Sequence, residues 1–496
     1  MAPTERVPMS VEDLQDLLQN DTKVKIAGID VDGVLRGKFM SRDKFLSAVK
    51  SDGFGFCSVI FGWDIHDAVY PNELLVSNRA NGYRDILARI DLSTYRRIPW
   101  EANVPFFLVT FFDPDTRDPI SVCPRGTLCK AVEAAERSGW EPLAGLEYEY
   151  FQFKETPQTV VEKKFTNLAA LTPGSKFIFA RALVRSIKRN TVHGYSLLRT
   201  QLNQEYFHAL FDESKKFGIE IEGHHTETGP GVYETALAYT SALQMADNAT
   251  LFKFVAKSIG MQQGVIPTFM AKPYANLPGC SGHIHISLRG KDGQNGFALA
   301  EADRKNGRAN ATYEDTRWIS QEAEWFLAGL LGGLMDIVPL LVPTINGYKR
   351  LHGGKIFWAP NALTYGYDSR AASIRIISPP SVPPSATRFE VRVPGADVQP
   401  YFALASIFRL GLRGIEKKTQ LPCPPISVLQ HENKAPIQLA KNLDEATSRF
   451  MAKDSIAREI LGNEFVDHYG ATREHEVDLW NRAVTNWELE RYLELV

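Results

Sequence analysis

Three short segments carry chemically reactive side chains at alternate positions, with apolar residues between them. They are LEYEYFQF with Glu147 and Glu149, HIHISL with His283, His285 and Ser287, and RFEVRV with Arg388, Glu390 and Arg392. Because successive side chains of a β-strand point to opposite faces, each segment is predicted to be a strand with one polar and one apolar face. Clustered carboxylates repel one another, so divalent cations and phosphates are expected to complete the charge balance. The pattern indicates phosphoryl chemistry.

A fourth segment, EGHHTETGPGVYE, adds three acids around a tight bend. The Gly229-Pro230-Gly231 bend can bring Glu234 back beside Glu227, and Glu222 precedes both. Oxygen ligands with an imidazole suit magnesium or manganese rather than zinc. The alternative is a solvated turn with two surface histidines. Likewise, the acids of LEYEYF taken alone are typical of a solvated strand face.

Five arginines follow one another in consecutive segments of the second half. They are Arg350, Arg370, Arg375, Arg388 and Arg392. Guanidinium groups match phosphate and carboxylate oxygens in pairs, although any one of these arginines is most simply a surface residue. The sequence contains no GxxxxGK[ST] and no convincing GxGxxG motif, so a nucleotide must be held by another scaffold.

The net charge and the cysteine positions limit the kinds of partner and site that are expected. The 496 residues carry a formal net charge of -2, which argues against nucleic acid or an anionic membrane as the main partner. The five cysteines are scattered without a Cys-x-x-Cys pair, so neither a disulfide framework nor a structural zinc site is indicated. The start of the chain has no apolar signal-like core, and we expect a cytoplasmic protein with small-molecule ligands.

The surrounding pattern predicts the elements that position these residues. VKIAGIDVDGVLRGKF is typical of a β-hairpin around Asp32-Gly33, and a helix is predicted to begin at Pro124. A second helix is predicted from about residue 241 to Ile259, ending at Gly260. The apolar run 325–343 is predicted to be a buried helix leading into a loop, and residues 378–388 a proline-rich loop. We predict two domains, residues 22–118 and 121–496.

The order of these motifs along the chain resembles that of the glutamine synthetase family, in its bacterial-type branch that also contains γ-glutamyl-amine ligases. The motifs are LEYEYF, HTETGPGVYE, SGHIHISL, NGYKRL, RAASIR and RFEVRVPGADVQPY. The resemblance covers essentially the whole chain. It implies an α+β fold: an N-terminal β-grasp domain, then a catalytic domain with helices around a curved, mainly antiparallel sheet. It also implies a homo-oligomer of stacked rings with active sites at subunit interfaces.

Motif positions of the family imply roles for individual residues. One metal ion would be held by Glu149, Glu227 and Glu234 near the amino-acid substrate, and another by Glu147, His283 and Glu390 near the ATP phosphates. Glu222, His285, Ser287, Arg375 and Arg388 would contact the nucleotide and its phosphates, and Arg350, Arg370 and Arg392 the substrate carboxylate and transferred phosphoryl group. The implied cofactors are ATP as co-substrate and two Mg²⁺ or Mn²⁺ per active site.

The resemblance implies an ATP-dependent ligase that activates a carboxylate, expected to be that of glutamate, as an acyl phosphate and then forms an amide. Ammonia-using members carry a glutamate before an Ala-Pro pair, where this chain has Trp358, and an aspartate near the position of Cys57. A neutral indole cannot act as that base, so we expect an organic amine rather than ammonia. The alternatives are a glutamine synthetase proper and a non-catalytic, ring-forming nucleotide-binding relative.

Overall fold

The structure is a computed structural model that describes residues 11–171, 194–352 and 359–496. Its strands are β1 Lys23–Ile29, β2 Leu35–Ser41, β3 Phe54–Cys57, β4 Asp85–Ile98, β5 Val104–Phe112, β6 Trp140–Phe153, β7 Ile221–Thr226, β8 Val232–Leu237, β9 Thr240–Ser241, β10 Ile266–Thr268, β11 Gly282–Gly290, β12 Tyr365–Tyr367, β13 Ile374–Ile377 and β14 Arg388–Val391. Trp358 lies outside the described residues.

The helices of the described residues are sixteen in number. They are α1 Val11–Leu17, α2 Arg42–Lys50, α3 Pro124–Arg137, α4 Pro157–Glu162, α5 Leu197–Gln201, α6 Gln204–Lys216, α7 Ala242–Gln262, α8 Gln321–Gly333, α9 Val338–Leu341, α10 Ile345–Leu351, α11 Pro400–Lys417, α12 Ile426–His431, α13 Leu443–Met451, α14 Ile456–Leu461, α15 Asn463–Arg482 and α16 Asn486–Tyr492. None of these helices is long and apolar enough to cross a bilayer.

The first five strands form one sheet in the order β2-β1-β5-β4-β3. Strand β1 pairs antiparallel with β2 and parallel with β5. The predicted hairpin is confirmed by the antiparallel pairing of β1 with β2. In the turn between them Gly33 has a φ of +82°, a conformation that glycine adopts without steric cost. Helix α2 packs on this sheet through Phe45, whose ring lies 4.8 Å from that of Phe107. This is the β-grasp arrangement.

The remaining strands form a nine-stranded sheet in the order β12-β13-β14-β11-β6-β8-β7, with β9 and β10 pairing with β6. Its neighbours are antiparallel except β12 and β13, which run parallel. The predicted α+β fold with a mainly antiparallel second sheet is confirmed. The three polar segments recognised in the sequence are β6, β11 and β14, and they are adjacent in this sheet.

The apolar face of these three strands forms the core. Ile284, Ile286, Phe389 and Val391 are all buried. Helix α7 packs against β6, where the ring of Phe252 lies 6.5 Å from that of Tyr148 and stacks on it. One face of the central sheet is therefore anchored in the core, and the polar face is free to form a site.

The structure extends one predicted helix and confirms another. Helix α7 continues two residues past Gly260 to Gln262, so the prediction that Gly260 ends it was wrong. A Cβ at Gly260 would lie 2.6 Å from the carbonyl oxygen of Val265, so close backbone approach explains this glycine. The apolar run after Trp325 is the buried helix α8 followed by a short turn and α9, as predicted.

Candidate active site

Strand register brings residues from β6, β11 and β14 into one cluster, here called the inner trio: Glu147, His283 and Glu390. His283 lies directly opposite Glu147 in the ladder between β11 and β6. The Nδ1 atom of His283 is 3.6 Å from Oε2 of Glu147 and 3.4 Å from Oε1 of Glu390. One ligand atom from each residue falls within 4.8 Å of the others, which is suitable for one shared cation.

Cationic neighbours balance the charge of the inner trio. Arg375 donates to Oε2 of Glu390 at 2.9 Å, and Arg392 donates to Oε1. Burial alone would raise the pKa of Glu390, but His283 and Arg392 outweigh it and lower the pKa to about 2. Burial also opposes ionisation of Glu147, whose pKa is nevertheless lowered by His283 and His285. Both carboxylates are therefore anionic at neutral pH.

A second cluster, here called the outer trio, consists of His225, Glu227 and Glu234. The bend between β7 and β8 brings Glu234 beside Glu227, and His225 bridges them. The Nδ1 atom of His225 is 3.8 Å from Oε1 of Glu227, and its Nε2 atom is 3.6 Å from Oε1 of Glu234. Two carboxylates and one imidazole again form a donor set suited to a hard divalent cation.

The alternative of two surface histidines does not describe the structure. His225 is only partly exposed, and its ring stacks at 4.2 Å on Tyr195, while His224 packs between Phe207 and Tyr233. The sequence did contain the signal for His225, since it stands two positions before Glu227 on a strand. The alternation that identified the other three segments places both side chains on one face.

Glu149 lies between the two trios. It is opposite Glu234 in the ladder between β6 and β8, and its Oε2 atom accepts a hydrogen bond of 2.7 Å from the backbone N–H of Ser281. Burial raises its pKa, the charge of Glu234 adds to the shift, and His283 opposes it. Its assignment to the metal ion near the amino acid stays a prediction.

Four of the five residues predicted to contact the nucleotide line one cavity of about 320 Å³: Glu222, His285, Ser287 and Arg388. Glu147 also lines it, so the cavity opens onto the inner trio. The fifth residue, Arg375, lies outside the cavity lining and joins Glu390 to Asp368.

Apolar side chains complete the cavity wall, among them Leu143, Leu237 and Ile286. Tyr239 lines it as well, with 69 % of its surface exposed, so its ring face is available to a planar base. Sequence reasoning missed Tyr239, because it lies on a loop without a period-two pattern. The cavity thus has a charged end that suits phosphates and an apolar end that suits a base.

The three arginines predicted to grip substrate differ in their surroundings. Arg350 is buried on α10 and donates to the carbonyl oxygens of Val393 at 2.8 Å and Arg392 at 3.1 Å. Arg392 is buried against Glu390. Arg370 is exposed. These contacts place Arg350 and Arg392 together beside the inner trio.

Tyr195 is a further residue that sequence analysis did not identify. Burial raises the pKa of its hydroxyl group, and the charges of Glu234 and Glu227 add to this while Arg370 opposes it. The position of Tyr195 is given by its ring, which stacks at 4.2 Å on that of His225 in the outer trio.

The residues present fit two divalent cations. Each trio offers carboxylate oxygens and a single imidazole, and no cysteine joins either cluster in the described part of the chain. Magnesium and manganese accept such ligands, whereas structural zinc sites use more nitrogen or sulfur.

Comparison with known proteins identifies the family. Residues 121–492 match the family model described as glutamine synthetase, catalytic domain. The chain belongs to the glutamine synthetase family. Members of this family are ATP-dependent ligases that form C–N bonds, use divalent metal ions and generally assemble into rings.

Relatives of this chain differ in the nitrogen substrate that their names give. Type-1 glutamine synthetase 2 of Dictyostelium discoideum is 42 % identical over 97 % of this chain and 87 % of its own length. Glutamate–isopropylamine ligase of a Pseudomonas species is 31 % identical over 98 % of both chains. The solved structure "GmaS/ADP complex-Conformation 1" has the same fold, with a TM-score of 0.77, 24 % identity, and coverage of 97 % of this chain and 99 % of that one.

Proposed function

We propose that this glutamine synthetase-family ligase joins glutamate to an organic amine, using ATP and two Mg²⁺ or Mn²⁺ ions. The observation that carries the proposal is the position of the inner trio between two features: a cavity of about 320 Å³ that Glu147 also lines, and Arg392, which donates to Glu390 and lies beside Arg350. A carboxylate is a poor electrophile, and this arrangement supplies what its activation needs: bound phosphates, neutralised charge and an oriented acid.

In this proposal the nucleotide base lies against Tyr239, and its phosphates extend past Arg388 and His285 to the inner trio. The metal ions, when bound, would neutralise charge on the transferred phosphoryl group. Arg350 and Arg392 hold the carboxylate in line with the terminal phosphorus. A carboxylate oxygen forms the new P–O bond as ADP leaves. The amine nitrogen then forms the C–N bond, phosphate departs with the C–O bond electrons, and the nitrogen loses a proton.

Two sequence features favour an organic amine over ammonia: Trp358 and Cys57 stand where ammonia-using members carry acids. Asp64 and Asp67 are the acids near Cys57 that could replace the missing aspartate, and both have partners within the chain. Asp64 accepts hydrogen bonds from the backbone N–H groups of His66 and Ala68, and Asp67 pairs with Arg36 at 2.5 Å.

The relative named glutamate–isopropylamine ligase also supports an organic amine. A glutamine synthetase proper is the second candidate, favoured by the name of the relative that is 42 % identical. A non-catalytic nucleotide-binding relative is disfavoured, because it would have no use for two complete donor sets.

An ADP-release assay with glutamate tests these candidates, scanning ammonia, ethanolamine, putrescine and isopropylamine. We expect ADP and an amide product with at least one organic amine, and little release with ammonia. Activity with ammonia alone would establish the second candidate. Absence of ADP release with every amine, in protein that binds ATP, would favour the third candidate, a non-catalytic relative.

We further propose a ring-shaped homo-oligomer with active sites at subunit interfaces, as is general in the family. The predicted domains, 22–118 and 121–496, remain predictions. Size-exclusion chromatography with light scattering gives the number of subunits, and a monomer with full activity would contradict shared sites.

A further inference from the structure

A second cavity, here called the tail groove, lies outside the outer trio. It has a volume of about 570 Å³ and is bounded by α5, α6 and the edge strand β7. Its lining includes Tyr195, Leu197, Phe207, Phe211 and His225.

The tail groove is continuous with the candidate active site. His225 belongs to both the outer trio and the groove lining, and Tyr195, another lining residue, stacks on it at 4.2 Å. Among the described residues, the groove shares no lining residue with the cavity of about 320 Å³ to which the nucleotide is assigned in the proposed function. A molecule extending from the outer trio past Tyr195 would therefore enter the groove without displacing nucleotide.

The lining indicates the chemistry of the occupant. The floor is aromatic, with the buried ring of Phe207 4.9 Å from that of His224, and Leu197 and Phe211 form apolar walls. Among the polar lining residues, Gln204, His208 and Asp212 are exposed, whereas Thr226 is buried and His224 packs beside Phe207. The largest lining side chains are aromatic or aliphatic, and they favour a hydrocarbon group over a charged one.

We propose that the tail groove receives the side chain of the amine co-substrate, which would be a primary amine bearing an apolar tail of several carbons. This inference rests on the proposed function. The amine nitrogen would lie at Tyr195, next to the activated carboxylate, and the carbon chain would extend along Leu197 and Phe211. Methylenes removed from water along this path add to binding without touching the reacting atoms.

The experiment measures KM and kcat for methylamine, propylamine and pentylamine at saturating glutamate and ATP in the assembled enzyme. We expect KM to decrease by up to about fourfold for each added methylene, with kcat nearly constant.

A matched pair of variants locates the effect. Leu197→Ser should raise KM for pentylamine about tenfold and leave KM for methylamine and ATP unchanged. Leu198→Ser is the control, because Leu198 is also exposed on α5, at 72 % against 82 % for Leu197, but does not line the groove. Phe211→Ser should reproduce the Leu197→Ser effect from the opposite wall.

Different failures have different meanings. Turnover with methylamine, together with a KM that does not depend on chain length, would contradict the proposed role of the tail groove and still support the ligase function. Preference for a tail ending in a second ammonium group would also overturn it. If Leu197→Ser changed the oligomeric state and left every amine KM unchanged, a second copy of the chain would be the occupant. Absence of ADP release with all amines would overturn both the proposed function and the groove.

Discussion

The two trios have the same donor chemistry, two carboxylates and an imidazole, but different surroundings. The inner trio is built from three neighbouring strands, and the side chains of Glu390 and His283 expose only 2 % and 10 % of their surface, whereas that of Glu147 exposes 27 %. The outer trio comes from one hairpin at the sheet edge, and its side chains expose 16 % to 25 %. The inner trio also has Arg375 and Arg392 as direct partners.

This difference indicates that the two trios have different roles. Sheet register and buried arginines fix the inner trio before any ligand arrives, as is required to hold a nucleotide phosphate group in one position. The outer trio depends on a single bend and faces Tyr195, so substrates that differ in size can approach it. The inner trio is therefore expected to be sensitive to charge, and the outer trio to metal concentration and substrate shape.

The largest expected effect is that of Glu390→Gln. The change removes a buried negative charge and leaves Arg375 and Arg392 to repel the cation, so kcat/KM in the ADP-release assay should decrease about a thousandfold. Excess Mn²⁺ should not restore it.

Glu141→Gln is the control for this substitution, because Glu141 is an exposed acid on β6 that pairs with Arg289. It should retain full activity. A Glu390→Gln enzyme within tenfold of the parent would remove Glu390 from the metal site.

A smaller effect is expected for His225→Gln. The imidazole is a neutral ligand, so its loss weakens metal binding without changing the charge of the trio, and activity should decrease about 10- to 100-fold. Raising Mn²⁺ should restore most of the activity by mass action. A Mn²⁺ titration measures this, and failure of rescue would show that the loss of activity does not result from weaker metal binding.

Tyr239→Ala should affect only the nucleotide. Loss of a stacking ring is expected to raise KM for ATP about tenfold, with KM for glutamate unchanged. Tyr239→Phe keeps the ring and should behave like the parent enzyme. If both variants raised KM for ATP equally, the hydroxyl group rather than the ring would be the contact.

The smallest effect is expected for Asp368→Asn. Asp368 pairs with Arg375 but is 40 % exposed, so solvent screens the pair and KM for ATP should change by about twofold or less. A change above tenfold would show that the charge balance of the inner trio extends to the surface.

The sequence was sufficient for the inner trio, because a period of two on three strands defines which side chains share a face whatever the order of the strands. The α+β fold and most of the residues that line the cavity of about 320 Å³ were implied instead by the resemblance of the ordered motifs to a known family. The sequence was insufficient where a position has no periodic signal, as for Tyr195 and Tyr239.

By itself, the sequence determined which residues have the chemistry to bind cations and phosphates, because side-chain type and alternation are local properties. Only the tertiary structure decided their partners. The pairing of β6 with β8 placed Glu149 between the trios, and the packing of α5 and α6 on β7 formed the tail groove beside them. Contacts between residues distant in the chain depend on strand order and helix packing, which no local pattern encodes.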